Sequence, residues 1–314
     1  YSRDHLIRSV ACSAFDHAYQ AMKLLQEDKK DRNSWMKCSL AAGATLHAGG
    51  VCAQNRGFSI IIEFSETLAI EGFADYHQTA AALLPVAGSQ AAIRALPRLR
   101  APGRVGVLSP GYNEHAHGWV RTGHQVVQVS SSALEAAAAA LDVLVLANPN
   151  NPTGEGFERA RLLDLHARLA VRGGWLLVDE AFIDADETQS LATECRAGLI
   201  VLRSLGKFYG LAGARVGFVI STPALLTQLA DELGPWTVAG PSRSVAMAAL
   251  LDQHWRQLTR LRLHTDADRL DAMLRRQGFA PDGSCALFRW LRTPDAAALH
   301  LALAAQGILT RHFD

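Results

Sequence analysis

Four residues that could share one chemistry each follow a short apolar run of the kind that forms a buried strand: Tyr112, Asn151, Asp179 and Lys207. A lysine whose pKa is lowered by burial and nearby cations can form an imine with an aldehyde. An aspartate at the end of a buried strand can hold a positive charge on a ring nitrogen. An asparagine in a turn flanked by prolines can donate to a phenolate oxygen, and a tyrosine in a loop can stack on a planar ring. Ser204 lies three residues before the lysine and Arg215 eight after it, both suited to bind a phosphate. Further upstream, Leu83-Leu-Pro-Val-Ala-Gly-Ser-Gln90 runs into a turn of small residues that opens a helix. The backbone amides of Ser89 and Gln90 are therefore a second candidate cradle for an anion.

Such groups need elements that bring them together. From Arg104 onward, apolar runs at Arg104–Ser109, Gln125–Val129, Val143–Ala147 and Gly173–Asp179 alternate with helical patterns at Asn113–Arg121, Ser132–Ala140 and Phe157–Arg172. This rhythm predicts an α/β fold: a mainly parallel sheet sandwiched by helices, with functional groups gathered at the carboxyl ends of its strands. Two further strands, Leu199–Leu202 and Val216–Ile220, bracket the lysine. A helix at Pro223–Leu233, a Gly-Pro-rich break and a long helical region from Arg243 to Gln277 come next. The remainder reads β-α-β at Ala286–Trp290, Asp295–Ala305 and Ile308–Arg311, a smaller α+β unit. The organisation expected is an N-terminal segment over 1–75, a large domain over 76–235 continuing into the long helix, and a small domain over 236–314. Within the first of these, an amphipathic helix is predicted over 1–30 and a strand over Phe58–Phe64, neither carrying recognisable chemistry. Set at strand ends, the chemical groups form the parts needed to hold pyridoxal 5′-phosphate as an electron sink.

Bulk properties narrow the partners. With 31 Lys and Arg against 30 Asp and Glu, the formal net charge of +1 gives no electrostatic reason to bind nucleic acid or an acidic membrane. The arginines at 94, 98, 100 and 104 form a basic run without interleaved aromatics, which reads as a solvated helix end. Hydrophobic residues at 49% suit a globular core, and no apolar stretch is long enough to span a bilayer. The five cysteines are scattered and form no C-x-x-C pair, so neither zinc nor a disulfide framework is indicated, and a cytoplasmic location is expected.

Asn148-Pro-Asn-Asn-Pro-Thr-Gly154, Asp179-Glu-Ala-Phe182 and Ser204-Leu-Gly-Lys-Phe-Tyr-Gly-Leu-Ala-Gly-Ala-Arg-Val-Gly217 resemble the motif series of the fold-type-I pyridoxal-phosphate enzymes, the aspartate aminotransferase superfamily. Pro85–Ile93, Pro110-Gly-Tyr-Asn-Glu-His-Ala-His117 and Arg203–Gly213 are most similar to its threonine-phosphate decarboxylases of cobalamin biosynthesis, which stand near the histidinol-phosphate aminotransferases. The resemblance spans roughly Leu83 to Asp314. It implies that Lys207 binds the cofactor covalently, that Asp179 pairs with the ring nitrogen and that Asn151 pairs with O3′. It further implies that Tyr112 stacks on the ring and that Ser89, Gln90, Ser204 and Arg215 hold the phosphate. Phe182 stands where the family often has a tyrosine as a second O3′ partner, so O3′ would lean on Asn151.

The implied activity is decarboxylation of a small phosphorylated amino acid, L-threonine O-3-phosphate, by a homodimer. An aminotransferase or an inactive protein of the same fold is the alternative. His115 and His117 are further candidates for the substrate phosphate, and Tyr76 for a neighbouring subunit's cofactor. The arginine that binds substrate carboxylate in the family is expected a little beyond Phe313. Arg311 is passed over because it sits so close to the last predicted strand.

Overall fold

The computed structural model describes residues 82–313. The predicted N-terminal helix, the predicted strand at Phe58–Phe64 and Tyr76 lie outside them. Within them, the apolar runs form a seven-stranded sheet: β1 (Ala82–Val86), β2 (Arg104–Leu108), β3 (Gln125–Val129), β4 (Val143–Ala147), β5 (Trp175–Asp179), β6 (Leu199–Ser204) and β7 (Gly217–Ser221). Their order across the sheet is β1-β7-β6-β5-β4-β2-β3, and every pairing is parallel except those of β7 with its two neighbours. The mainly parallel α/β sheet expected from the sequence is therefore present.

Why these segments are strands is visible in how their side chains divide. Leu144, Leu146, Leu176, Val178, Val201 and Phe218 join one core. The residues between them in sequence, Val143, Val145, Leu177, Ile200, Leu202 and Val219, join the other. A period of two on strands that are apolar at every position demands cover on both faces. Helices α1 (Ser89–Ala95), α2 (Asn113–Val120) and α5 (Pro223–Leu233) cover the second core through Ile93, Trp119 and Leu229. Helices α3 (Leu134–Ala138), α4 (Arg159–Ala170) and α6 (Gly240–Leu251) cover the first through Leu134, Leu162, Leu165 and Leu250. Each such leucine, removed from water, contributes about 1.5–3 kcal/mol.

The long helical region predicted from Arg243 to Gln277 is two helices. It breaks at Asp252, which leaves helical geometry (ψ 78°) and accepts a 2.9 Å hydrogen bond from the Trp255 amide, capping α7 (Gln253–Arg276). Beyond α7, β8 (Gly283–Cys285) and β9 (Phe288–Trp290) form a two-stranded antiparallel sheet beside α8 (Ala296–Ala305). The last predicted strand, Ile308–Arg311, does not form: the segment is irregular, and Leu309, which the apolar pattern had assigned to a strand, is 85% exposed. None of the described helices is long and apolar enough to cross a membrane.

Candidate active site

The parallel strands put four chain segments at one edge of the sheet. Tyr112 follows β2, Asn151 follows β4, Asp179 closes β5 and Ser204 closes β6. Because β7 returns antiparallel to β6, the connection between them, which carries Lys207 and Arg215, stays at that same edge. Between these segments lies a cavity of about 520 Å³. Its walls include Tyr112, Asn151, Asp179, Ser204, Lys207 and Arg215, and Ser89 and Gln90 at the start of α1 complete them. All eight site residues read from the sequence thus border one space.

Asp179 is 5% exposed and held at both oxygens: Oδ1 accepts the Ala181 amide at 3.1 Å and Oδ2 lies 3.0 Å from Nε2 of the buried His115. The sequence offered His115 and His117 together as phosphate ligands, and the helix separates them. Two residues apart on α2 they point in different directions, so His115 turns beneath Tyr112 to brace the aspartate while His117 stays exposed at the cavity wall near Glu114. His115 is therefore a support of Asp179.

Tyr112 is steadied through its hydroxyl, which donates to Gln90 Oε1 at 3.3 Å; Gln90 Nε2 in turn donates to Glu114 at 2.6 Å. Gln90 thus contributes its side chain as well as the amide that the sequence suggested. Burial, then the charges of Glu114 and Asp179, push the Tyr112 phenol up, so it remains a neutral donor. The Asn151 turn is braced by its neighbour Asn150, which donates to the Pro110 carbonyl at 2.9 Å and to Thr153 Oγ1 at 2.8 Å.

The anion cradle is built by close approach. A Cβ at Gly88 would meet the Arg215 guanidinium at 2.4 Å, and one at Gly217 would lie 2.7 Å from the Ser89 amide nitrogen. Only glycines leave the space between Ser89 and Arg215 open. Arg215 itself adopts left-handed geometry (φ 53°, ψ 54°), at a cost of about 1–3 kcal/mol for a residue with a side chain. Its guanidinium reaches back over α1, donating to the Ala87 carbonyl at 3.4 Å. Ser204 Oγ accepts the Gly206 amide at 3.2 Å, which folds the turn that leads into Lys207.

Lys207 is exposed to the cavity, with Nζ 5.2 Å from the centre of the Phe182 ring. Phe182 in turn packs edge-on against Phe288 of β9, 5.2 Å between ring centres. A second cavity of about 440 Å³ continues past Asn151, Phe182 and Lys207 under the small sheet and α8. Arg311 borders both cavities. The sequence sets it at the end of a predicted strand. With no strand formed, the irregular segment after α8 is free to turn this guanidinium towards Lys207. The signal available in the sequence was its charge alone. Among the described residues no cluster of His, Cys, Asp and Glu could hold a metal ion.

A lysine between two strands of a doubly covered sheet, opposite a buried aspartate and beside a small-residue anion cradle, defines a class: enzymes that work through an aldehyde cofactor held at strand ends. The chain belongs to the aminotransferase class I and II family, whose model matches residues 25–313. It is similar to a protein named threonine-phosphate decarboxylase from Pseudomonas aeruginosa, 55% identical over 246 residues that cover 78% of this chain and 74% of the relative. Its fold is that of the histidinol-phosphate aminotransferase from Clostridium acetobutylicum (TM-score 0.75, 18% identity, 88% of this chain and 84% of that one). It is likewise that of the Sinorhizobium meliloti histidinol-phosphate aminotransferase solved in complex with pyridoxal-5′-phosphate (TM-score 0.70, 22% identity, 79% and 73% covered).

Proposed function

We propose that this chain is a pyridoxal-phosphate-dependent decarboxylase acting on L-threonine O-3-phosphate. The observation that carries the reading is the convergence of Lys207, Asp179, Asn151, Tyr112 and the Ser89–Arg215 cradle on one cavity, with Arg311 facing them. The donor set fits the cofactor's chemistry. The cradle and Ser204 would hold its phosphate, Asp179 would keep a proton on the ring nitrogen, Asn151 would donate to O3′, and Lys207 would hold the aldehyde carbon. The space that Gly88 and Gly217 leave open lies where the phosphate would sit. When bound, the cofactor supplies a sink for the electron pair left on Cα as CO2 departs.

The remaining work falls to this chain's own side chains. Asp179, fixed by the Ala181 amide and His115, keeps its charge aimed at one point without reorganising. The Tyr112 ring, tethered through Gln90 and Glu114, limits tilt of a planar ring beside it. Arg311 presents a charged donor fork for one of the substrate's two anionic groups. Lys207 Nζ is the basic group that can return a proton to Cα. The named activity of the 55% identical relative favours loss of CO2 over transfer of the amino group.

We read the protein further as a cytoplasmic homodimer with a role in cobalamin biosynthesis. Exposed Trp236, Leu258 and Leu261 supply apolar surface for a second copy, and Cys195 and Cys285 are free.

The deciding experiment adds pyridoxal phosphate, then L-threonine O-3-phosphate without any keto acid. A visible absorption band and stoichiometric CO2 are expected, both lost in Lys207→Ala. Amino-group exchange with 2-oxoglutarate and no CO2 would instead make it an aminotransferase. The absence of any band would leave a protein that keeps only the fold.

A further inference from the structure

Directly behind the cavity, on the other side of the strand ends, three buried charged side chains, Glu180, Asp184 and Arg203, meet two half-buried ones, Glu187 and Arg260. Asp179 and Ser204 face the cavity; their sequence neighbours Glu180 and Arg203 point the opposite way, 0% and 1% exposed. The strands pair in register, Asp179 opposite Leu202 with the Glu180 amide donating to the Leu202 carbonyl at 2.9 Å, so these two neighbours meet. Arg203 Nη1 donates to Glu180 Oε2 and Ser190 Oγ, each at 3.2 Å. Its Nη2 donates to Asp184 and Glu187, each at 2.6 Å. Glu180 also accepts the Ser190 hydroxyl and the Leu191 amide, both at 2.6 Å. Arg260 on α7 closes the cluster, pairing with Glu187 and donating to the Asp184 carbonyl at 2.8 Å.

One guanidinium thus ties together the end of β5, the end of β6 and the whole 180–191 segment, whose first residues Ala181 and Phe182 line the cavity. The arrangement is costly as a stability device, because buried ion pairs can often be replaced by apolar side chains without loss. What apolar packing cannot reproduce is direction: a planar fork that fixes several acceptors at once. No member of the cluster touches the cavity.

We propose that Arg203 is a positioning residue, which holds Asp179, Phe182 and Ser204 in place for the cofactor from the far side of the sheet. Arg260 extends that hold to α7, whose Asp271 pairs with Arg289 of the small sheet. The proposal rests on the cavity being the pyridoxal-phosphate site, and its test separates the two.

The test uses Arg203→Met and Arg203→Lys, each checked for folding by circular dichroism. Two measurements are made: titration with pyridoxal phosphate, read by visible absorbance, and the side-chain NMR signal of His115 before any cofactor is added. Because His115 touches Asp179, and otherwise the Tyr112 ring, its signal reports the aspartate's surroundings without any cofactor present. Arg203→Met is expected to weaken cofactor binding about tenfold or more, the size of loss seen when outer partners of metal ligands are removed. It should shift the band and move the His115 signal, with Lys restoring part of each.

A folded Arg203→Met with wild-type affinity, band and His115 signal would overturn the proposal. If Arg203→Met does not fold, Arg260→Met and Glu187→Gln at the rim decide: a smaller change in the same readouts supports it, and none at all refutes it. Should the wild type itself fail to take up the cofactor, the cofactor reading falls, and the His115 signal still judges Arg203.

Discussion

The two walls of the cavity are made differently. The sheet wall, Asp179 and Ser204, is buried, stands at the ends of paired strands and is braced from behind by the His115 ring and the Arg203 cluster. The opposite wall is drawn from connections and from the far end of the chain. Lys207 and Arg215 are exposed in the β6–β7 connection, and Arg311 lies in an irregular segment after α8. A wall built on the ends of paired, buried strands moves less than one built on irregular, exposed segments. The first suits a fixed cofactor, where charge must be aimed in advance. The second carries Lys207 and Arg215, proposed for the cofactor, and through Arg311 can also meet a substrate that enters and leaves.

If the division is real, substitutions on the two walls should fail in different ways. The largest effect is expected on the rigid wall. Asp179→Ala removes the preorganised charge and also leaves His115 buried without its acceptor. A fall of about 10²–10³-fold in kcat is expected, comparable to loss of one preorganised electrostatic group elsewhere. The KM should move far less, and steady-state kinetics with saturating cofactor would measure both. An unchanged kcat would mean that the aspartate is only a strand-end cap.

On the mobile wall, Arg311→Ala should act mainly on binding. A charge-assisted hydrogen bond is worth about 1.5–3 kcal/mol, so KM for L-threonine O-3-phosphate should rise about 10- to 100-fold while cofactor affinity stays put. Loss of cofactor together with substrate would erase the distinction between the walls.

The same division separates what could be read from the sequence. Strand ends advertise themselves, since an apolar run followed by Asp179, or by the Pro-flanked Asn151, sets both the element and the direction of its last side chain. The sheet was legible for that reason, and the eight residues proposed for the cofactor border one cavity. His115 reads in the sequence as a solvated helix face or a phosphate ligand, and neither gives Asp179, because that partner is 64 residues away and only helix phase turns the ring inward. The break at Asp252 was hidden by helical periodicity on both sides of a single cap. Arg311 escaped because its place depends on a strand that fails to form, and nothing local to Ile308–Arg311 says that its apolar residues will stay exposed.

The seam between the walls gives a smaller and more local test. The Asn151 turn and β8 touch through backbone: a Cβ on Gly283 would fall 1.8 Å from the Thr153 carbonyl oxygen, and one on Gly154 would lie 2.6 Å from the Ser284 backbone. Gly283→Ala must therefore push the small sheet off the turn, an overpacking cost of about 1–3 kcal/mol. If the small sheet serves the substrate, KM should rise several-fold less than in Arg311→Ala, with the cofactor band unchanged. A shifted band would show that the seam also positions Asn151.

The smallest effect concerns protons behind the rigid wall. Burial, only partly offset by Arg203, raises the carboxyl groups of Glu180 and Asp184 above the ordinary carboxylate range. Arg203 stays charged: burial opposes this, but Asp184, Glu187 and Glu180 together outweigh it. Three carboxylates facing two guanidiniums leave one negative charge in excess, and burial favours the protonated form of Glu180 and Asp184. A group whose folded pKa is raised contributes stability that is complete below its unfolded pKa, about 4.3 for a glutamate. That contribution is lost as pH rises through the folded value. Urea midpoints of the cofactor-free protein should therefore carry a component that falls as pH climbs above the carboxylate range, and Glu180→Gln should flatten it. Because Asp184 keeps its own share, the flattening should be partial. Parallel pH profiles for the two proteins would mean that the cluster holds no proton and that Arg203 and Arg260 balance it by charge alone.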